Sequence, residues 1–155
     1  MINQLALTLS HQLKKRGWKL VTAESCTGGG LAYFITEIPG SSDWFERGFV
    51  TYSNAAKKEL LGVRAETLDQ YGAVSQQTAH EMAEGALKHS DAQISIAITG
   101  IAGPTGGSLE KPVGMVWFGF AGIEMATVTE VQHFAGDRHA VRERSIQFAL
   151  ERLIK

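Results

Sequence analysis

Ile2, Leu5, Ala6, Leu9 and Leu13 fall at i, i+3, i+4, i+7 and i+11. That spacing puts them on one face of an amphipathic helix, which Gly17 ends. The short apolar run from Trp18 to Ala23 reads as a buried strand. It passes through Glu24-Ser25-Cys26-Thr27-Gly28-Gly29-Gly30 into Leu31–Ile35, which reads as a helix. Pro39-Gly40-Ser41-Ser42-Asp43 breaks that helix. Gly48 to Ser53 is aromatic and β-branched enough to predict a strand. Asn54 is the predicted N-cap of a helix through Leu61, with Lys57 in its first turn and Gly62 as the stop. Residues 64–72 read as a short helical turn and loop. Ser75 caps the next helix, whose narrow apolar face is Ala79, Met82, Ala83 and Ala86. Gln93 to Thr99 reads as a second buried strand, running into a glycine-rich turn from Thr99 to Gly107. Val113–Phe120 and Met125–Phe134 predict a hairpin joined at Ala121-Gly122. A final helix follows Gly136-Asp137-Arg138 and buries Ile146, Leu150, Leu153 and Ile154.

Strands interleaved with helices, then a late hairpin, predict a three-layer α/β/α sandwich in one domain over residues 1–155. The five-stranded sheet is expected to be mixed and mostly parallel, with one antiparallel strand and about five helices around it. In such sheets ligands sit beyond the carboxyl ends of the strands. Both glycine-rich turns follow strands in that sense, so they are expected to meet at one crevice.

Composition narrows the function. The 155 residues are 44% hydrophobic and 20% charged, an ordinary globular balance. With 15 basic and 16 acidic residues the net charge is −1, which favours neither nucleic acid nor an anionic membrane as partner. No run approaches a membrane span or a signal peptide, and the single Cys26 suits a reducing compartment. A cytoplasmic protein is expected.

Three stretches carry candidate chemistry. Ser25, with Thr27, Gly28 and Gly29, lies at a helix N-terminus, where free N–H groups attract anions. It reads as a nucleophile with an oxyanion or phosphate cradle, or as a capping turn packed against the sheet. It matches neither a P-loop nor a GxGxxG fingerprint. Lys57 can serve a serine as base if burial or nearby positive charge lowers its pKa, and Tyr52 can relay or orient the proton. The plainer alternative is a solvated lysine and a strand tyrosine. Thr99, Gly100, Gly103 and Gly106 belong to a loop that can bind phosphate through its N–H groups, with Arg138 adding a charge. A flexible turn and a surface arginine are the alternatives there. The five histidines show no metal-ligand spacing, and Cys26 reads as a small buried residue with no histidine to activate it.

In combination, Ala-Glu-Ser-Cys-Thr-Gly-Gly (23–29), Pro-Gly-Ser-Ser (39–42), Val-Thr-Tyr-Ser-Asn (50–54), Lys57, Leu-Leu-Gly-Val (60–63), Gly-Ala-Val-Ser (72–75), Thr-Gly-Ile-Ala-Gly-Pro (99–104), Glu-Lys-Pro-Val-Gly (110–114) and Gly-Asp-Arg (136–138) resemble the CinA C-terminal domain family. The resemblance spans essentially the whole chain. It implies a three-layer α/β/α fold and a nicotinamide-nucleotide amidase. That enzyme converts nicotinamide mononucleotide and water to nicotinate mononucleotide and ammonia, with no metal or organic cofactor. It maps the catalytic group onto Ser42, Tyr52 and Lys57, with Ser25 and Thr99 lining the same pocket. Ser25 and Ser42 both stand as nucleophile: Ser42 is nearer in sequence to Tyr52 and Lys57, while Ser25 has the helix-terminus setting. Gly30, Ala55 and Leu109 depart from the family pattern without removing a proposed catalytic group. Some family members are thought to be inactive paralogues, so a nucleotide-binding sensor is the alternative function. A DNA-uptake role rests only on the family's name. A homodimer is expected, because two-fold pairs are the commonest assemblies.

Overall fold

The computed structural model describes residues 1–154. Helix α1 (Ile2–Arg16) ends on Gly17, whose φ of +70° turns the chain back toward the sheet. Strand β1 (Leu20–Glu24) is buried along its whole length. Helix α2 (Gly30–Thr36) and a 3-10 turn (Ser41–Asp43) lead to β2 (Phe45–Val50). Helices α3 (Asn54–Leu61), α4 (Ala65–Tyr71) and α5 (Gln76–Lys88) come next in succession. The chain then forms β3 (Ile94–Gly100), β4 (Met115–Gly122), β5 (Met125–His133) and the closing helix α6 (Arg138–Ile154).

The strand order is β2-β1-β3-β4-β5. β1 pairs in parallel with both β2 and β3, and β4 lies antiparallel between β3 and β5. One strand of five is thus reversed, giving the mixed sheet that the sequence predicts. The pleat divides the core. Leu20, Ile94, Ile96, Ile98 and Phe118 face α1, α2 and α6, while Val21, Ala23 and Ala97 face α4 and α5. Those are the three layers.

Boundaries differ in instructive places. β2 starts and ends about three residues before the predicted strand, because it is registered to β1 from Leu20–Phe45 to Glu24–Val50. After Thr51 donates its N–H to Glu24 O the chain leaves the sheet. Ser53, not Asn54, caps α3, its Oγ accepting from the Ala56 N–H at 3.0 Å. Residues 65–71 form a seven-residue helix, longer than the short helical turn expected there. The hairpin turns at Ile123-Glu124, two residues beyond Ala121-Gly122. Ser75 caps α5 as predicted. Gly30 lies under Ile146, whose Cδ1 would be 2.8 Å from an added Cβ.

Candidate active site

Parallel pairing decides which residues meet at the site. β1, β2 and β3 point the same way, so their carboxyl-end residues gather at one end of the sheet. Ser25 comes directly after β1, Thr51 directly after β2, and Thr99-Gly100 ends β3. Helix α3 then folds back beside them. Ser53 caps it, and Lys57 points inward one turn later.

Lys57 is 1% exposed and among the largest fully buried side chains. Its Nζ lies 3.0 Å from Ser25 Oγ and donates to Thr51 O at 2.9 Å. Burial holds its pKa below the ordinary lysine value. The neighbouring Cys26 sulfur opposes that shift only when ionised, and burial pushes the Cys26 thiol up to about 11. The thiol is therefore neutral near pH 7, and the depressed lysine pKa stands. A serine hydroxyl beside a lysine without its full share of solvation has the chemistry to act as a serine–lysine nucleophile and base.

Around this pair runs a cleft of about 260 Å³, slightly smaller than most small-ligand sites. Its walls include Cys26, Tyr52, Thr99, Thr105 and Arg138. Thr99 Oγ1 donates to Ala73 O at 2.8 Å, which ties β3 to the loop before α5. Arg138 spans the mouth, donating to Gly103 O at 2.7 Å and to Tyr52 Oη at 2.8 Å. The Tyr52 hydroxyl is thus engaged by Arg138. Lys57 Nζ meets Ser25 Oγ directly, with no tyrosine between them. Gly103 and Gly106 have φ of +82° and +91°, a backbone form that favours glycine. Among the described residues, the N–H groups of Ala102, Gly103, Thr105 and Gly106 have no backbone acceptor.

Two groups of expected site residues lie away from the cleft. Ser42 is exposed in the 3-10 turn before β2. The length of β2, roughly 20 Å, separates it from Thr51 and Lys57. Thr27, Gly28 and Gly29 do not line the cleft. The N-terminus of α2 is already filled by the chain's own carboxylate. Glu24, 1% exposed, accepts from Thr27 Oγ1 at 2.6 Å, Leu31 N at 2.9 Å and Ala32 N at 3.0 Å. Gly28 N–H is also used, donating to Ser25 O at 3.0 Å. Thr99, Gly100, Gly103, Gly106 and Arg138 do line the cleft.

Sequence patterns alone do not single out Glu24 or Arg142 for a role. Glu24 escapes local cap rules because it reaches forward from a strand to N–H groups seven and eight residues on. Arg142 does leave a signal: it lies four residues after Arg138, hence on the same helix face.

The whole of this arrangement sits within a single match. Residues 2–155 fit the model of the CinA C-terminal domain. The chain belongs to the CinA C-terminal domain family. Within that family it is 54% identical over 154 residues to the nicotinamide-nucleotide amidohydrolase PncC of Enterobacter agglomerans, covering 99% of this chain and 94% of that one. It is 55% identical over 150 residues to the protein of the same name from Escherichia coli K12, covering 97% and 91%. The crystal structure of competence/damage inducible protein CihA from Agrobacterium tumefaciens superposes with a TM-score of 0.97 at 46% identity, covering 99% of this chain and 93% of that one. Among the described residues, no helix of this CinA-family chain is long and apolar enough to cross a membrane.

Proposed function

We propose that this protein is a nicotinamide-nucleotide amidase with Ser25 as nucleophile and Lys57 as general base. The observation that carries the reading is the buried 3.0 Å contact between Lys57 Nζ and Ser25 Oγ at the floor of the cleft. The names of the relatives supply the substrate class.

The nucleotide's phosphate docks on the glycine-rich loop from Gly103 to Gly106, with Arg138 at its side. Neutral Lys57 takes the Ser25 proton as Oγ attacks the carboxamide carbon. The oxyanion so formed is met by backbone N–H groups, each worth about 3 kcal/mol in such sites. The Cys26 N–H is the candidate, since Cys26 lines the cleft and its N–H has no backbone acceptor among the described residues. Lys57 passes its proton to the leaving nitrogen, and ammonia departs. Water attacks the acyl-serine with Lys57 again as base, releasing the carboxylate and restoring Ser25. Thr51 O keeps the Lys57 amine aimed through both halves.

The test is ammonia release from nicotinamide mononucleotide, measured against pH. The base must be neutral, so kcat/KM rises with pH as Lys57 loses its proton. Because burial lowers that pKa, the rise is centred below 10.5, the ordinary lysine value. A limb at or above that value, or a profile unchanged in Lys57→Ala, contradicts the assignment. Binding that raises the melting temperature without ammonia release moves the reading to a nucleotide sensor.

Arg138→Ala separates binding from chemistry. Its guanidinium supports Gly103 O and Tyr52 Oη at the mouth, not the reacting atoms. KM is expected to rise about tenfold or more, the scale of one lost charged hydrogen bond, with kcat changed less. A fall in kcat at constant KM points instead to a role in the chemical step.

A further inference from the structure

Arg142 lies outside the cleft yet grips the loop that carries Ser25. From α6 its Nε donates to Cys26 O at 3.1 Å and its Nη2 to Thr27 O at 3.3 Å. Among the described residues it has no carboxylate partner, unlike Arg47 with Glu46 and Arg152 with Glu130. A half-buried guanidinium is thus committed to two backbone carbonyls.

Peptide planarity gives that commitment a consequence. In a trans peptide the C=O of one residue and the N–H of the next point in opposite directions. Holding Cys26 O toward Arg142 therefore turns the Thr27 N–H away from Arg142. In the preceding unit, Ser25 O is held by Gly28 N–H, which turns the Cys26 N–H away from the turn's interior. Neither N–H has a backbone acceptor among the described residues. The other side of the loop is secured by Glu24, which binds Thr27 Oγ1 and the first free N–H groups of α2.

We infer that Arg142 is a positioning residue: by holding the Cys26 and Thr27 carbonyls it fixes the turn that presents Ser25 Oγ and the Cys26 N–H to the cleft. This rests on Ser25 being the nucleophile of the amide hydrolysis. Arg142 touches no reacting atom. Its effect falls on the step where negative charge develops, and substrate binding through the Gly103–Gly106 loop is left alone.

Arg142→Lys and Arg142→Ala are compared with the parent for ammonia release from nicotinamide mononucleotide, together with their melting temperatures. The expected result is a fall in kcat of about tenfold to a hundredfold with KM held within about twofold, since misaiming one oxyanion donor loses part of the 10²–10³ that deleting it loses. Guanidinium chloride at low millimolar concentration partly restores kcat in Arg142→Ala and leaves the parent unchanged. Parental kcat in Arg142→Ala overturns the inference. So does a loss confined to KM, or one that tracks melting temperature and is not restored by guanidinium. A fluorophosphonate probe separates this inference from the amidase reading. If the parent releases no ammonia but labels at Ser25, the substrate is wrong, and slower labelling of Arg142→Ala still supports the inference while equal labelling overturns it. A parent that neither labels nor releases ammonia overturns both.

Discussion

Ser25→Ala loses ammonia release from nicotinamide mononucleotide by about 10⁴-fold or more, the scale of removing the nucleophile of a serine hydrolase. Ser42→Ala keeps the parental rate. Both serines sit in polar turns beside glycine, and Ser42 is closer in sequence to Lys57. Only Ser25 reaches the lysine, at 3.0 Å across 32 residues of chain. Ser42 is exposed at the far end of β2. Loss of activity in Ser42→Ala with retention in Ser25→Ala would reverse the assignment. Lys57→Met shares the loss of Ser25→Ala but has a second signature. The methionine fills the buried space without an amine to desolvate, so the variant is expected to fold at least as stably as the parent at neutral pH. The pH dependence of stability has a definite sign. A lysine whose pKa is lowered by folding binds fewer protons in the folded state than in the unfolded state, between its folded pKa and 10.5. Stability from this group therefore rises with pH through that window, and Lys57→Met removes the rise. Equal pH slopes for parent and variant in urea unfolding would contradict a depressed Lys57 pKa.

Gly85→Ala is expected to be the most damaging small substitution outside the site. Gly85 lies in α5 where it crosses the end of α3. An added Cβ would stand 1.8 Å from Leu61 O and 2.8 Å from Leu61 C, both backbone atoms that cannot swing aside. Alanine gains about 1 kcal/mol over glycine in a helix interior. Overpacking against backbone costs about 3 kcal/mol, so the net change is destabilising. Urea unfolding measures it directly, with Gly30→Ala as control. There the neighbour at 2.8 Å is the tip of Ile146, a flexible side chain that can rotate. An unchanged midpoint for Gly85→Ala would mean that the two helices separate easily. The same overlap reaches the active site, because Leu61 is one helical turn beyond Lys57 on α3. Pushing α3 outward draws Nζ from Ser25 Oγ, so the folded fraction of Gly85→Ala also loses activity.

Much of this was legible before folding. The 3.6-residue spacing of Ile2 to Leu13, the buried run at Ile94–Thr99, and the cap at Ser75 depend on neighbours a few positions away. So does the place of Lys57 in the first turn of α3. These local patterns predict the layers and bring both glycine-rich turns to one end of the sheet. Two kinds of fact lie beyond them. One is pairing: β1 lies parallel to β2, so the residues just past β1 meet those just past β2, and Ser42, which precedes β2, is carried away. The other is occupancy. The α2 N-terminus has the form of an anion site, but Glu24 fills it from within, and of the two glycine-rich turns it is the Gly103–Gly106 loop that lines the cleft. Sequence by itself determined which elements form and which residues have the chemistry to act. Only the tertiary structure decided which serine the lysine meets and how dry that lysine is, because distance and desolvation are set by contacts between segments remote in the chain.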